Sequence, residues 1–164
     1  MSTPRIVGMI PARLASTRLP GKVLLDIAGK PMVQHVYERA CQSAHLTEVV
    51  IATDSPEVLA AVEGFGGCAV MTSAEHASGT DRLAEVARQT ECDLVVNLQG
   101  DEPLIEPEAI ETLVSAMESS GAEMGTLARP LEDGELERTQ VVKVVTDLQG
   151  NALYFSRAPI PHRR

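Results

Sequence analysis

The chain has 164 residues, 44% of them hydrophobic, and a formal net charge of −9, which suits one sizeable core and a single domain over residues 1–164. Four aromatics, Tyr37, Phe65, Tyr154 and Phe155, cannot supply the stacking platforms of single-strand binders, and the acid excess argues against duplex nucleic acid. No apolar run is long enough to span a bilayer, and Met1-Ser2-Thr3-Pro4-Arg5 lacks a signal-peptide pattern, so a cytoplasmic protein is expected.

In chain order, Ile6-Val7-Gly8-Met9-Ile10 reads as a buried first strand of a parallel sheet. Residues 31–41 have helical spacing, with Met32, Val36 and Tyr37 turned inward and Pro31 at a permitted first-turn position. A second strand spans residues 48–53, and Asp54-Ser55-Pro56-Glu57 starts a helix with Val58, Leu59 and Val62 inward. Residues 68–71 form a short third strand, and Ser78-Gly79-Thr80-Asp81 opens a helix to about Gln89. Residues 94–98 are a strong buried strand, followed by a helix from Glu106-Pro107 that Gly121 ends. A further strand is expected at residues 124–128. Residues 140–146 and 152–156 read as a hairpin around Asp147-Leu148-Gln149-Gly150-Asn151. The alternation implies an α/β fold with a doubly wound, mostly parallel sheet sandwiched by helices.

Four segments carry the chemistry. The loop after the first strand, Pro11-Ala12-Arg13-Leu14-Ala15-Ser16-Thr17-Arg18-Leu19-Pro20-Gly21-Lys22, holds three cations among small residues. Residues 1–30 carry five Lys or Arg against one acid, +4 in a chain of −9, so the other 134 residues sum to −13. A basic loop on so acidic a body is a local anion site, and open α/β sheets bind ligands at this strand end. Asn97-Leu98-Gln99-Gly100-Asp101-Glu102-Pro103 ends another buried strand at the same edge. Read alone it could be an ordinary turn; beside the basic loop, Asp101 becomes a candidate Mg²⁺ ligand. His76-Ala77-Ser78-Gly79-Thr80-Asp81-Arg82 exposes backbone N–H groups at a helix start, where Ser78 or Thr80 also serves as a cap. The fourth is Tyr154-Phe155-Ser156-Arg157-Ala158-Pro159-Ile160-Pro161, whose arginine, taken alone, reads as a surface charge or a structural ion pair.

Other motifs fall away. No G-x-x-x-x-G-K-[ST] loop is present, and Gly64-Phe65-Gly66-Gly67 follows a helix rather than a strand, so it reads as a helix stop. Cys41, Cys68 and Cys92 have no metal-ligand spacing and are expected to be reduced and mostly buried. His76 reads as a hydrogen-bonding loop residue, His35 and His45 as structural. Lys143 is an isolated cation in a strand and carries no assignment.

Together P-A-R-x-x-S-T-R-L-P-G-K, H-x-S-G-T-D-R, N-x-Q-G-D-E-P and Y-F-S-R-x-x-I-P resemble the 3-deoxy-manno-octulosonate (Kdo) cytidylyltransferase family. The resemblance implies a Rossmann-like nucleotide-diphospho-sugar transferase fold that moves CMP from CTP to Kdo, releasing pyrophosphate, for lipopolysaccharide synthesis. It implies nucleotide contacts from Ala12, Arg13, Arg18, Lys22, Ser78, Gly79 and Gln99. Catalytic roles fall to Arg13, Lys22 and Asp101, with Mg²⁺ on Asp101 and the acidic sugar on Arg157. A homodimer is implied as well. Family members run well beyond Ile160-Pro161, so this chain is expected to lack a second metal aspartate and much of the dimer surface. It is therefore expected to bind CTP with little turnover. The alternatives are a non-catalytic CTP-binding fragment, a cytidylyltransferase for another acidic sugar, or a generic α/β binding domain.

Overall fold

A strand that is apolar on both of its alternating faces needs cover on both sides, and Ile6-Val7-Gly8-Met9-Ile10 obtains it at the centre of a parallel sheet. The computed structural model describes residues 3–15 and 19–162. Its strands are β1 (Ile6–Ala12), β2 (Asp26–Ile27), β3 (Lys30–Pro31), β4 (Glu48–Thr53), β5 (Ala69–Met71), β6 (Leu94–Asn97), β7 (Lys143–Thr146) and β8 (Ala152–Ser156). The α-helices are α1 (Met32–Ala40), α2 (Pro56–Gly64), α3 (Gly79–Ala87) and α4 (Pro107–Ser120). The described residues fall into two compact units that divide between Gly125 and Thr126.

In the first unit the sheet order is β5-β4-β1-β6, and every pairing is parallel. From β1 the chain steps outward through β4 to β5, then returns to place β6 on the opposite side of β1. The order therefore reverses between β1 and β6, the place where open α/β sheets hold ligands. Right-handed crossovers put helices on opposite faces on either side of such a reversal. Val33, Val36 and Ala40 of α1 pack with Val58 and Val62 of α2 and Ile110 and Val114 of α4 on one face, against Ile6, Ile10 and Ile51. Leu83 and Val86 of α3 cover Val7, Met9, Val50 and Ala52 on the other. The outcome is the expected doubly wound fold.

Several elements differ from expectation in detail. Pro31 is the N-cap of α1, not its first turn, so the buried stripe is Val33, Val36 and Ala40 while Met32 and Tyr37 are half-buried. Residues 124–128 are not a strand: among the described residues no neighbour offers them a ladder, and Met124 stands 89% exposed. The short hairpin of β2 and β3 was not expected. It turns through Ala28 (φ 52°) and Gly29 (φ 87°), with the Gly29 N–H donating to Asp26 Oδ1 at 3.0 Å. Cys41 and Cys68 are exposed, contrary to the expected burial, because one follows the last turn of α1 and the other lies directly before β5.

The second unit is built on the antiparallel hairpin of β7 and β8. Asp147 makes its turn by accepting from the Gln149 and Asn151 N–H groups at 2.9 and 2.8 Å, and Gly150 supplies φ 88°. The strand begins at Lys143 rather than Gln140, since Val141 N–H already donates to Arg138 O in a turn.

Candidate active site

The reversal between β1 and β6 brings two of the predicted loops together. Leaving β1, the chain passes Arg13 and is closed by the Gly21 N–H on the Leu14 carbonyl at 3.0 Å. Gly21 takes a left-handed conformation (φ 70°) that only glycine adopts without cost. A single 3₁₀ turn, Lys22–Leu24, follows, and buried Val23 anchors it to the core beneath. Lys22 therefore projects from a fixed base. From the other side, the Leu98 N–H donates to Met9 O at 2.9 Å, extending the ladder until Gly100 passes the end of β1. A Cβ at Gly100 would stand 3.0 Å from the Pro11 carbonyl oxygen, so only glycine lets the loop approach this closely.

Lys22 Nζ and Asp101 Oδ2 form an ion pair across this gap. Both side chains are partly open to solvent, and such a pair contributes at most about 1 kcal/mol, weak enough to yield to a stronger anion. Pro11, Arg13, Lys22, Val23, Gln99, Gly100 and Asp101 line a cleft of ≈ 130 Å³. Among the described residues, two cations and one carboxylate leave it net positive, inside a chain of −9. Gln99 is exposed, its Nε2 only 3.4 Å from Asn97 Oδ1. Ala12 is fully buried, backbone included, and does not line the cleft. Arg18 lies outside the described residues.

The third segment arrives at the same strand end. Ser78 caps α3: its Oγ accepts from the Asp81 N–H at 3.1 Å while Asp81 Oδ2 accepts from the Ser78 N–H at 3.1 Å. This reciprocal box satisfies two of the helix's orphan donors. Gly79 packs on the Pro11 ring, where a Cβ would lie 3.2 Å away. Pro11 thus sits between the cleft and the start of α3. Behind it, Arg82 is buried, donating from Nη2 to Asp54 Oδ2 at 2.7 Å and from Nη1 to Thr72 Oγ1.

His76 is a hydrogen-bonding loop residue: its Nε2 meets Glu85, which also accepts the Ser73 N–H at 3.0 Å. The histidine and then that N–H hold the Glu85 carboxyl below its ordinary range. His35 Nε2 lies 2.7 Å from the Ile27 carbonyl, a structural contact. Partial desolvation pushes the Cys41 and Cys68 thiols up, the opposite of an activated nucleophile. Arg157 belongs to the second unit, where its Nη1 donates to Thr139 O at 3.0 Å and Gln140 O at 3.3 Å. Lys143 there is 2% exposed and donates to three carbonyls, Arg138 at 2.9, Val141 at 2.8 and Arg157 at 2.5 Å.

Sequence reasoning left Arg82 and Lys143 without roles. Arg82 did carry a signal, because a cation in the first turn of a helix opposes the dipole and calls for a partner. Lys143 satisfies itself on backbone carbonyls, which no residue pattern announces. Asp101 was the metal candidate, and among the described residues no group of three or more His, Cys, Asp or Glu is placed to hold a metal. A lone, half-exposed carboxylate still suits Mg²⁺, which takes most of its ligands from water and phosphate.

The cytidylyltransferase family matches residues 7–164. A 3-deoxy-manno-octulosonate cytidylyltransferase of Anaeromyxobacter sp. (strain Fw109-5) is 60% identical over 162 residues, covering 98% of this chain and 66% of the relative. The enzyme of that name from Escherichia coli is 53% identical, covering 98% and 65% respectively. The chain thus spans just under two thirds of the length of these relatives. The solved structure of a CMP:2-keto-3-deoxy-manno-octonic acid synthetase complexed with CTP superposes with a TM-score of 0.89 at 50% identity, covering 98% of this chain and 67% of that one.

Proposed function

Because the chain belongs to the cytidylyltransferase family, we propose that it carries the nucleotide-binding part of an enzyme that transfers CMP from CTP to Kdo. The observation that supports this most is the net-positive cleft at the β1/β6 reversal, with Lys22 and Asp101 facing each other across it. In the reaction a sugar hydroxyl attacks the α-phosphorus, forming a new O–P bond. The bond between the α-phosphorus and its bridging oxygen breaks, pyrophosphate leaves with the electron pair, and the hydroxyl proton passes to solvent. Such transfers are driven by positioning and charge neutralisation.

Arg13, Arg18 and Lys22 hold the triphosphate and take up the charge that develops on pyrophosphate. The start of α3, with Ser78 and Gly79, and Gln99 contact the nucleoside. Asp101 would hold Mg²⁺, which when bound supplies charge neutralisation at the phosphates. Arg157 grips the sugar carboxylate: Nη1 is engaged with backbone, while among the described residues Nη2 and Nε, an edge that forks onto a carboxylate, have no hydrogen-bond partner. A CTP-consuming reaction suits the cytoplasm, and no described helix is long and apolar enough to cross a membrane. A homodimer is the assembly we propose, supported by the exposure of Leu153 (66%), Tyr154 (62%) and Phe155 (49%).

Calorimetric titration of CTP in the presence of Mg²⁺ tests the reading. Lys22→Ala should weaken binding by roughly ten- to a hundredfold, the value of about 1.5–3 kcal/mol for a charged hydrogen bond. Unchanged affinity would remove the cleft from consideration.

A further inference from the structure

We infer that Arg82 is a positioning residue for the nucleoside end of the site, acting through the first turn of α3 and never touching the ligand. The inference rests on the reading that this turn contacts CTP. Arg82 is 2% exposed, and its two terminal nitrogens are spent on Asp54 Oδ2 and Thr72 Oγ1. Asp54 follows β4 and Thr72 follows β5, so the guanidinium ties α3 to the carboxyl ends of two neighbouring strands. Thr72 is itself held, its Oγ1 donating to Thr53 O at 3.1 Å and its N–H to the same oxygen at 2.8 Å. The anchor therefore ends in the sheet and not in a loop.

The link to the ligand side is one hydrogen bond long. The Arg82 N–H donates to the Ser78 carbonyl at 3.3 Å. Where the Arg82 side chain is fixed, the Ser78–Gly79 backbone is fixed with it. On the other flank Gly79 rests against Pro11, the residue that also lines the cleft. One turn further on, Glu85 accepts from the Ser73 N–H and pairs with His76, holding the preceding loop to the same helix.

Stability alone is a poor reason for this arrangement. A cation in the first turn of a helix is unfavourable to the dipole. A buried ion pair is weak evidence for stability, because desolvation offsets most of the attraction, and its better attested use is to specify geometry. Paired with Asp54, the guanidinium is also neutralised as a source of field on an anion. Position is what remains for it to supply.

The test compares CTP with inorganic pyrophosphate as calorimetric probes, on variants shown by circular dichroism to be folded at the working temperature. Arg82→Met should weaken CTP by about tenfold or more, since an error of about 1 Å in a positioned group costs up to a hundredfold. Pyrophosphate, which needs only the Arg13 and Lys22 side of the cleft, should bind within about twofold of the unsubstituted protein on the same principle. Arg82→Lys, which can reach only one of the two partners, should restore part of the CTP affinity. Asp54→Asn keeps the shape and weakens the anchor, and it serves if Arg82→Met does not fold; it too should weaken CTP. Unchanged CTP affinity in the folded variants would overturn the inference. So would equal loss of CTP and pyrophosphate, which marks a general structural defect. Tighter CTP binding by Asp54→Asn would show Arg82 acting as an unmasked charge and overturn it as well. If the unsubstituted protein binds pyrophosphate but not CTP, the functional reading fails first and the inference with it.

Discussion

Gly100 shows how much a single missing methyl group can decide. Its neighbour is the Pro11 carbonyl, a backbone atom that cannot swing aside. Gly100→Ala must shift the loop against the end of β1 by a few tenths of an ångström, and overpacking of this kind costs about 1–3 kcal/mol. Chemical denaturation should show that loss, and CTP binding should fall with it because Asp101 is the next residue. A variant that is destabilised yet binds CTP normally would detach the loop's position from its function. Glu135 offers a residue-scale test by pH. It is 5% exposed and takes both Arg129 nitrogens, at 2.8 and 2.7 Å, with the Glu132 N–H at 2.9 Å. The Arg129 bonds first, then that N–H, hold its carboxyl down to about 2 from an ordinary 4.5. A depressed carboxylate stabilises above its unfolded pKa and ceases to do so as pH falls through the folded one. The turn at residues 129–135 should therefore keep its full support above about pH 4.5 and lose it towards pH 2. Carboxyl NMR titration of Glu135 checks this, and an ordinary midpoint would mean that the bidentate pair does not persist in solution.

At the scale of elements, α3 is built by two devices that serve one end. The Ser78–Asp81 box satisfies the first donors, and Arg82 fastens the same turn to the sheet. Ser78→Ala removes the cap and should cost about 1 kcal/mol of stability. If the first turn also meets the nucleotide, CTP affinity should drop alongside it, while a cap with no second role would change only the melting temperature. The hairpin of β2 and β3 turns through an alanine in the left-handed region, a conformation unfavourable to an L side chain by about 1–2 kcal/mol. Ala28→Asn, which tolerates that region better, should raise the unfolding midpoint. A fall would place a contact of the Ala28 methyl above the backbone preference.

Across the whole molecule the two units differ in how they bury themselves. In the first, β1 and β4 lie under helices on both faces, and Val7, Met9, Ile10, Ile51 and Ala52 are all fully buried. In the second, a two-stranded hairpin carries Leu153, Tyr154 and Phe155 in the open. Isolated hairpins are marginal, and local opening follows apolar burial. In the dilute monomer, amide exchange should therefore be slowest in β1 and β4 and clearly faster in β7 and β8. Equal protection would mean that a second surface covers the hairpin in solution, the outcome the proposed dimer would produce.

By itself the amino-acid sequence determined most of the sheet and the identity of the cleft. Strands such as Ile6–Ala12 and Glu48–Thr53 are legible because continuous apolar runs can only be satisfied under cover on both faces. Arg13, Lys22 and Asp101 were legible because charge and glycine at strand ends mark the ligand edge, whereas Gln99 was legible only through the family resemblance. The strand expected at residues 124–128 failed for a reason no local pattern contains: a strand exists only where another supplies its ladder. Burial of Cys41 and Cys68 was misjudged because each lies just outside an element, one after α1 and one before β5, where exposure depends on what packs nearby. The hairpin through Ala28 lacked a local signature, since alanine is not a residue that favours a left-handed turn. Only the tertiary structure decided that Lys22 would face Asp101 across 79 positions, and that Arg82 would find Asp54 and Thr72. Those pairings arise where crossovers deliver separate strand ends to one edge, and the order of strands in a sheet is settled by packing, not by any residue's neighbours in the chain.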